Sequence, residues 1–236
     1  MVPCMWSRLM TCGRSSGPGV VVTALVAPRA RDLDRQGGRG FLILITWSSL
    51  SRSCTACGNE KPPRALWAAS RLLVRAEDRR KARVARGLPE SPIKVTFTAG
   101  GDLDPGAKFF AAGGVEKIVY CSSGAVDGCR KRLGDVATVV DAGDPVDLDT
   151  MLADLADRGV QRLMVEGGGT VHTQFLTAGL ADELQLVTAP FFVGDSAAPR
   201  FVGTGQFPHH PGNRMTLEEV RPIGDVILAR YLLTRS

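Results

Sequence analysis

The chain has 236 residues, of which 44% are hydrophobic and 22% charged, with a net charge of +5. That is enough for one full domain with an appendage, and ordinary for a soluble globular protein. No apolar run approaches the ~20 residues of a membrane helix. The positive excess sits early, with about nine basic residues against three acidic ones up to Leu66, so no basic domain argues for nucleic acid.

Residues 1–66 differ in texture from the rest of the chain. Ser, Gly, Arg, Pro and Cys are scattered without period, and Trp6, Trp47, Trp67 and four of the six cysteines lie in or beside this stretch. Two apolar runs, Gly19–Ala27 and Phe41–Trp47, read as short strands. The run ending at Ala27 is brief and meets Pro28 and Arg29 at once, which is poor for a signal peptide, so a cytoplasmic protein is expected. Cys54-Thr55-Ala56-Cys57 is a single C-x-x-C. The histidines are His172, His209 and His210, and no second ligand pair stands at zinc spacing, so no metal is expected. The organisation read from this is an atypical, poorly ordered segment over 1–66 and a folded domain over 67–236.

From Arg71 the pattern becomes regular. Arg71-Leu72-Leu73-Val74-Arg75 is a short apolar piece clasped by arginines. Glu77–Arg86 is a charged, solvated helix ended by Gly87, Pro89 and Pro92. Ile93–Ala99 alternates and is β-branched, so it reads as a strand. Pro105–Ala112 holds one helical turn, Lys117–Cys121 a strand, Val126–Leu133 a helix and Ala137–Asp141 a strand. Cys121 and Cys129 read as packed thiols. Asp147 caps a helix over Leu148–Arg158, whose stripe is Leu148, Met151, Leu152 and Leu155. Leu163–Val165 is a fourth strand, Val171–Ala178 a helix and Leu184–Ala189 a fifth strand. After a polar loop, Met215–Arg221 and Asp225–Leu233, split by Pro222-Ile223-Gly224, form an antiparallel hairpin. Strands alternating with helices give an α/β fold with a mostly parallel sheet and helices on both faces.

The chemistry concentrates at Leu163-Met164-Val165-Glu166-Gly167-Gly168-Gly169-Thr170. A buried strand, a glycine turn and a helix point free N–H groups at an anion. Glycines let backbone close on a phosphate and tolerate φ > 0, and Thr170 adds a hydroxyl at the helix start. Glu166 ends the strand, at the edge where open α/β sheets bind ligands. By the same rule Ser122, after the second strand, is a cofactor candidate. The run is neither G-x-G-x-x-G nor a P-loop. The alternative is a plain tight turn with an exposed carboxylate.

Val165-Glu166-Gly167-Gly168-Gly169-Thr170, Gly179-Leu180-Ala181-Asp182-Glu183-Leu184 and Ala189-Pro190-Phe191-Phe192-Val193-Gly194, in this order, resemble the reductase domain of bacterial riboflavin biosynthesis. This is the RibD C-terminal, or deaminase-reductase C-terminal, family, similar in fold to dihydrofolate reductase. The resemblance runs from about Arg71 to the C-terminus. It implies a three-layer dihydrofolate reductase-like fold and an NADPH-dependent reductase. The reaction implied is conversion of the ribosyl group of 5-amino-6-(5-phosphoribosylamino)uracil to ribityl, by a cytoplasmic homodimer with a small phosphorylated substrate. It assigns substrate to Glu166, Leu72 and Arg75, the arginine taking the phosphate, for which its planar fork is suited. It assigns NADPH to Gly168, Gly169, Thr170, Val171, His172 and Thr173. His172, on the first turns of a helix, is expected neutral and not a catalytic acid. From the residues alone, Arg75 also reads as a surface arginine.

Two family signatures are absent before Arg71. One is a serine–leucine–aspartate–glycine strand, the other a threonine–valine–x–x–aspartate–aspartate/asparagine–proline run, where this chain has Arg64-Ala65-Leu66-Trp67-Ala68-Ala69-Ser70. The expectation is that the opening strands are missing or replaced, through a shifted reading frame or by Gly19–Ala27 and Phe41–Trp47. The alternatives to the reductase are a truncated or frame-shifted relative with only part of the NADPH site, and a dihydrofolate reductase-like enzyme.

Overall fold

The computed structural model describes residues 42–44, 72–160, 162–166, 168–192 and 200–233. Gly19–Ala27, the C-x-x-C pair and the replaced signature run lie outside the described residues.

Five short strands form a parallel sheet: β1 (Leu42–Leu44), β2 (Ile93–Thr98), β3 (Lys117–Cys121), β4 (Thr138–Asp141) and β5 (Leu163–Val165), in the order β4-β3-β2-β1-β5. β1 stands between β2 and β5, with Leu44 opposite both Val95 and Val165. Part of the Phe41–Trp47 run thus fills a central sheet position, one of the two outcomes expected for the opening strands.

Alternation along β2 and β3 divides the core. Val95, Phe97, Ile118 and Tyr120 meet Met151 and Leu155 of α4 (Leu148–Asp157) and Val171 and Phe175 of α5 (Gly169–Thr177). On the other face Val119 meets Phe109 and Phe110 of α2 (Lys108–Ala111) and Leu133 of α3 (Val126–Leu133). Helices on both faces make three layers, as a parallel sheet requires. α1 (Glu77–Val84) buries no residue and carries a Glu77–Lys81 pair at 2.9 Å, which fits a solvated helix. Asp147 caps α4 as expected, its Oδ1 accepting from the N–H groups of Asp149 and Thr150 at 2.7 and 3.2 Å. Tyr120 donates to Asp154 of α4 at 2.5 Å, and Arg158 holds the same carboxylate at 2.7 Å, tying α4 to the sheet.

A second, antiparallel sheet of β6 (Glu183–Thr188), β7 (Thr216–Ile223) and β8 (Val226–Leu232) has the order β6-β8-β7. Pro222 and Ile223 do not break the hairpin. They lie inside β7, an edge strand where proline costs no ladder bond, and the turn is Gly224-Asp225 with Gly224 at φ 64°. Glu183, nearly buried, holds Arg230 of β8 at 3.3 Å and Arg162, just before β5, at 3.8 Å, so the two sheets are linked by charge.

Candidate active site at the carboxyl edge

From β1 the chain runs outward through β2, β3 and β4, then returns to place β5 on the other side of β1. The carboxyl ends of β1 and β5 therefore flank a topological switch point, where a crevice opens in such sheets. The register puts Leu44 and Val165 side by side there, with Glu166 and the glycine turn directly beyond.

Gly168 is the N-cap of α5, at φ −71° and ψ 169°. This is ordinary extended backbone, so Gly168 is not there for a left-handed turn. It is exposed. The helix begins at Gly169, two residues before the expected Val171, and no side chain caps it, so Thr170 does not act as the cap. The Gly168 carbonyl accepts from both Val171 N–H (3.0 Å) and His172 N–H (3.3 Å). Among the described residues, the donors left facing outward at this helix start are the N–H groups of Gly169 and Thr170.

The other three residues of the run point elsewhere. Val171 is in the core. His172 is buried, its Nδ1 is 3.2 Å from the Phe201 carbonyl, and its ring lies 5.1 Å from that of Phe201. Burial holds the imidazole below its ordinary pKa of 6.5, against the opposing pull of the Phe201 and Val165 carbonyls. It is neutral near pH 7, as expected. Thr173 Oγ1 donates to Gly169 O at 2.6 Å and accepts from Gly203 N–H at 2.7 Å. Of the carried-over cofactor residues, Gly168, Gly169 and Thr170 stand at the start of α5, while His172 and Thr173 hold a loop.

That loop is the feature the sequence did not reveal. Residues 200–203 lie across the start of α5, held by His172 and Thr173. A Cβ on Gly169 would fall 2.5 Å from the Arg200 carbonyl oxygen. Gly169 is thus required by a close protein backbone, not by φ. No local pattern announces a contact 31 residues away.

Glu166 is half-buried, and burial raises its carboxyl above the usual range. It can present either a proton or a lone pair to a ligand hydroxyl. Ser122 is also at the carboxyl edge, three strand spacings or roughly 14 Å from β5. Its hydroxyl donates to Ala99 O at 2.5 Å, closing the β2–β3 ends rather than facing open space.

The structure does not bring Leu72 and Arg75 to Glu166. Val74 N–H donates to Ser91 Oγ at 3.0 Å. Ser91 is four residues before Val95, which is level with Val165, so Arg75 lies roughly 13 Å toward the amino edge. Arg75 is exposed, and Leu72 packs beside the Leu103–Phe109–Val119 cluster with φ at 44°, a left-handed value uncommon for leucine. A cavity of about 570 Å³ also opens at the amino edge, lined by Arg83, Val84, Leu88, Ile93, Val115 and Glu116. Size alone favours that cavity as a ligand site. The outward N–H pair and the desolvated carboxyl favour the carboxyl edge, which we take as the site.

The family described as the RibD C-terminal domain matches residues 65–229. A 2,5-diamino-6-ribosylamino-4(3H)-pyrimidinone 5′-phosphate reductase from Aquifex aeolicus is 40% identical over 74 residues, covering 31% of this chain and 32% of the relative. One of the same description from Methanothermobacter thermautotrophicus is 38% identical over 104 residues, covering 43% and 46%. The matched stretches thus span less than half of these two relatives. A solved pyrimidine reductase-like protein from Corynebacterium diphtheriae has the same fold, with TM-score 0.58 at 19% identity, over 84% of this chain and 93% of that one. With the family matched over most of its length, the chain belongs to the RibD C-terminal domain family.

Proposed function

We propose that the protein is an NADPH-dependent reductase acting on a phosphorylated ribosylaminopyrimidine, converting ribosyl to ribityl. The observation that carries this reading is the Glu166–Thr170 turn at the switch point, with two outward N–H groups beside a half-buried carboxyl. This donor set fits a dinucleotide diphosphate, because two backbone N–H groups and a helix start favour an anion and the bare Gly168 lets it approach. NADPH supplies the hydride, which a carbonyl or imine carbon of the substrate receives. Gly168, Gly169 and Thr170 hold the cofactor. His172 and Thr173 keep loop 200–203 on α5, and so fix the turn. Glu166 bonds a hydroxyl of the open sugar. Ser122 orders the β2–β3 end of the same edge.

A cytoplasmic homodimer is part of the same proposal. It has a candidate surface in Leu217, Val220 and Ile227, all more than half exposed on the β7–β8 hairpin. A phosphate role for Arg75 requires the 72–75 segment to stand nearer the carboxyl edge than it does here. That separation favours a second reading, a relative that binds the cofactor but turns over poorly because its segment before Arg71 is not native. NADPH oxidation by purified protein with the ribosylaminopyrimidine phosphate and with dihydrofolate separates the readings. We expect oxidation with the first substrate and none with the second. Binding of NADPH without oxidation supports the impaired relative.

A further inference from the structure

An NADPH diphosphate at Gly168–Thr170 would carry negative charge close to the Glu166 carboxyl. The described part of α5 supplies no cation against it. Its sequence is Gly-Thr-Val-His-Thr-Gln-Phe-Leu-Thr, and its single histidine is buried and neutral. Two N–H groups are good donors but not a counter-charge, and phosphate sites of this kind draw on Arg or Lys.

Loop 200–203 brings one. The Arg200 carbonyl oxygen would stand 2.5 Å from a Cβ placed on Gly169. The loop is fixed there by three contacts that do not use the Arg200 side chain: Phe201 O to His172, Gly203 N–H to Thr173 Oγ1, and the Phe201 ring beside the His172 ring. Arg200 is exposed. Its stem, roughly 7 Å long, starts from a backbone in contact with the turn that carries the outward donors. The loop's backbone thus serves the fold, and the exposed Arg200 side chain takes no part in those contacts.

We propose that Arg200 is a cofactor-binding residue, its guanidinium neutralising the diphosphate of NADPH at the Gly168–Thr170 turn. This rests on the reductase reading. It assigns to a residue far along the chain the positive charge that the glycine turn lacks, and it makes the close approach at Gly169 part of cofactor recognition.

The test is a titration of the full chain with NADPH and with NADH, in wild type, Arg200→Gln, Arg200→Lys and Arg221→Gln. The last removes an exposed arginine paired with Glu219 on β7. For Arg200→Gln we expect both Kd values to rise at least tenfold and by the same factor, since both cofactors carry the diphosphate. Arg200→Lys should recover most of the loss, Arg221→Gln should change nothing, and melting temperatures should agree, because the loop is held by backbone. Unchanged affinity in Arg200→Gln with normal wild-type binding overturns the inference and leaves the reductase reading standing. Loss of NADPH affinity alone would move Arg200 to the 2′-phosphate and overturn the placement. A drop in melting temperature matching the lost affinity would make its role structural and overturn the inference too. A wild type that binds neither cofactor overturns the reductase reading and this inference together.

Discussion

The two edges of the parallel sheet differ in how the groups beside β5 and those around the start of β2 are partnered. At the amino edge Ser91 and Lys94 are closed on backbone groups, although the buried Arg83 Nη2 beside the cavity has no hydrogen-bond partner. Ser91 Oγ takes the Val74 N–H, and Lys94, fully buried in β2, donates to the carbonyls of Phe109 (3.0 Å) and Ala112 (2.5 Å) at the end of α2. At the carboxyl edge by β5, Gly169 and Thr170 leave N–H groups outward, and the Glu166 carboxyl is desolvated. Buried polar groups normally find partners. We take the edge with the open helix start as the ligand edge, although a cavity of about 570 Å³ lies at the other.

The contrast breaks most readily at Gly169. Gly169→Val puts a branched side chain onto the Arg200 carbonyl, a backbone atom that cannot step aside. Overpacking of this kind costs about 1–3 kcal/mol. We expect a lower melting temperature and NADPH affinity reduced about a hundredfold, roughly 2.7 kcal/mol, by calorimetry and titration. Retention of both properties would remove the loop from the site.

Gly168→Val is the sharper probe because its backbone is ordinary. A side chain at this exposed N-cap stands where the cofactor phosphate would approach. NADPH affinity should fall at least tenfold, about 1.4 kcal/mol, with stability lowered by about 1 kcal/mol because valine is a poor N-cap. Equal affinity in mutant and wild type would detach the turn from the cofactor.

Between the edges, Glu166→Gln and Arg75→Ala should part company. For Glu166→Gln we expect KM for the ribosyl substrate to rise about tenfold. Its raised carboxyl also means the folded state binds more protons than the unfolded state just above pH 4.5. Stability from this group is therefore present at low pH and lost as pH rises through the folded pKa. Glu166→Gln should accordingly be more stable than wild type at neutral pH, because it removes the ionisable carboxyl that burial disfavours. For Arg75→Ala, at the amino edge, KM should change less than threefold. A large KM effect at Arg75 would show that segment 72–75 reaches the site during turnover.

The smallest effects are titrations of the closed groups. Burial, with Lys117 nearby, lowers Lys94 from 10.5 to about 8. The folded state then binds fewer protons than the unfolded state between those values, so stability rises with pH from about 8 to 10.5. His172 has the same sign, and stability should fall as pH drops below 6.5. Chemical denaturation across pH checks both, with Lys94→Met flattening the alkaline rise.

Most of the parallel layer was legible because its signals are local. Leu163–Val165 and Val126–Leu133 match the structure at both ends, and the Asp147 cap follows from one side chain and two N–H groups. The buried thiols were also readable, with Cys121 pushed up to about 12 by burial and by Cys129. The start of α5 was misplaced because Gly-Thr reads as turn, whereas the Gly168 carbonyl already holds the helix. Pro222 looked like a breaker because edge position cannot be seen in sequence. At the site, Glu166 and the glycines carried a local signature. Arg200 and the inward roles of His172 and Thr173 depend on a contact between distant segments, and the place of Arg75 depends on where Ser91 fastens the chain. The central strand Leu42–Leu44 was only one of two weak apolar runs in an atypical segment, and its partners on β2 and β5 are more than 45 residues away.

Hydrogen exchange with and without NADPH decides between the two edges. With the cofactor bound, exchange should slow at Gly169 and Thr170 and at Gly203 on the clamping loop. Residues 72–91 at the amino edge should be unchanged, and Leu42–Leu44 should be as slow as Leu163–Val165 throughout. Protection centred on 72–91 and the cavity beside Arg83, with the α5 start unaffected, would place the ligand at the amino edge and overturn the assignment of the glycine turn.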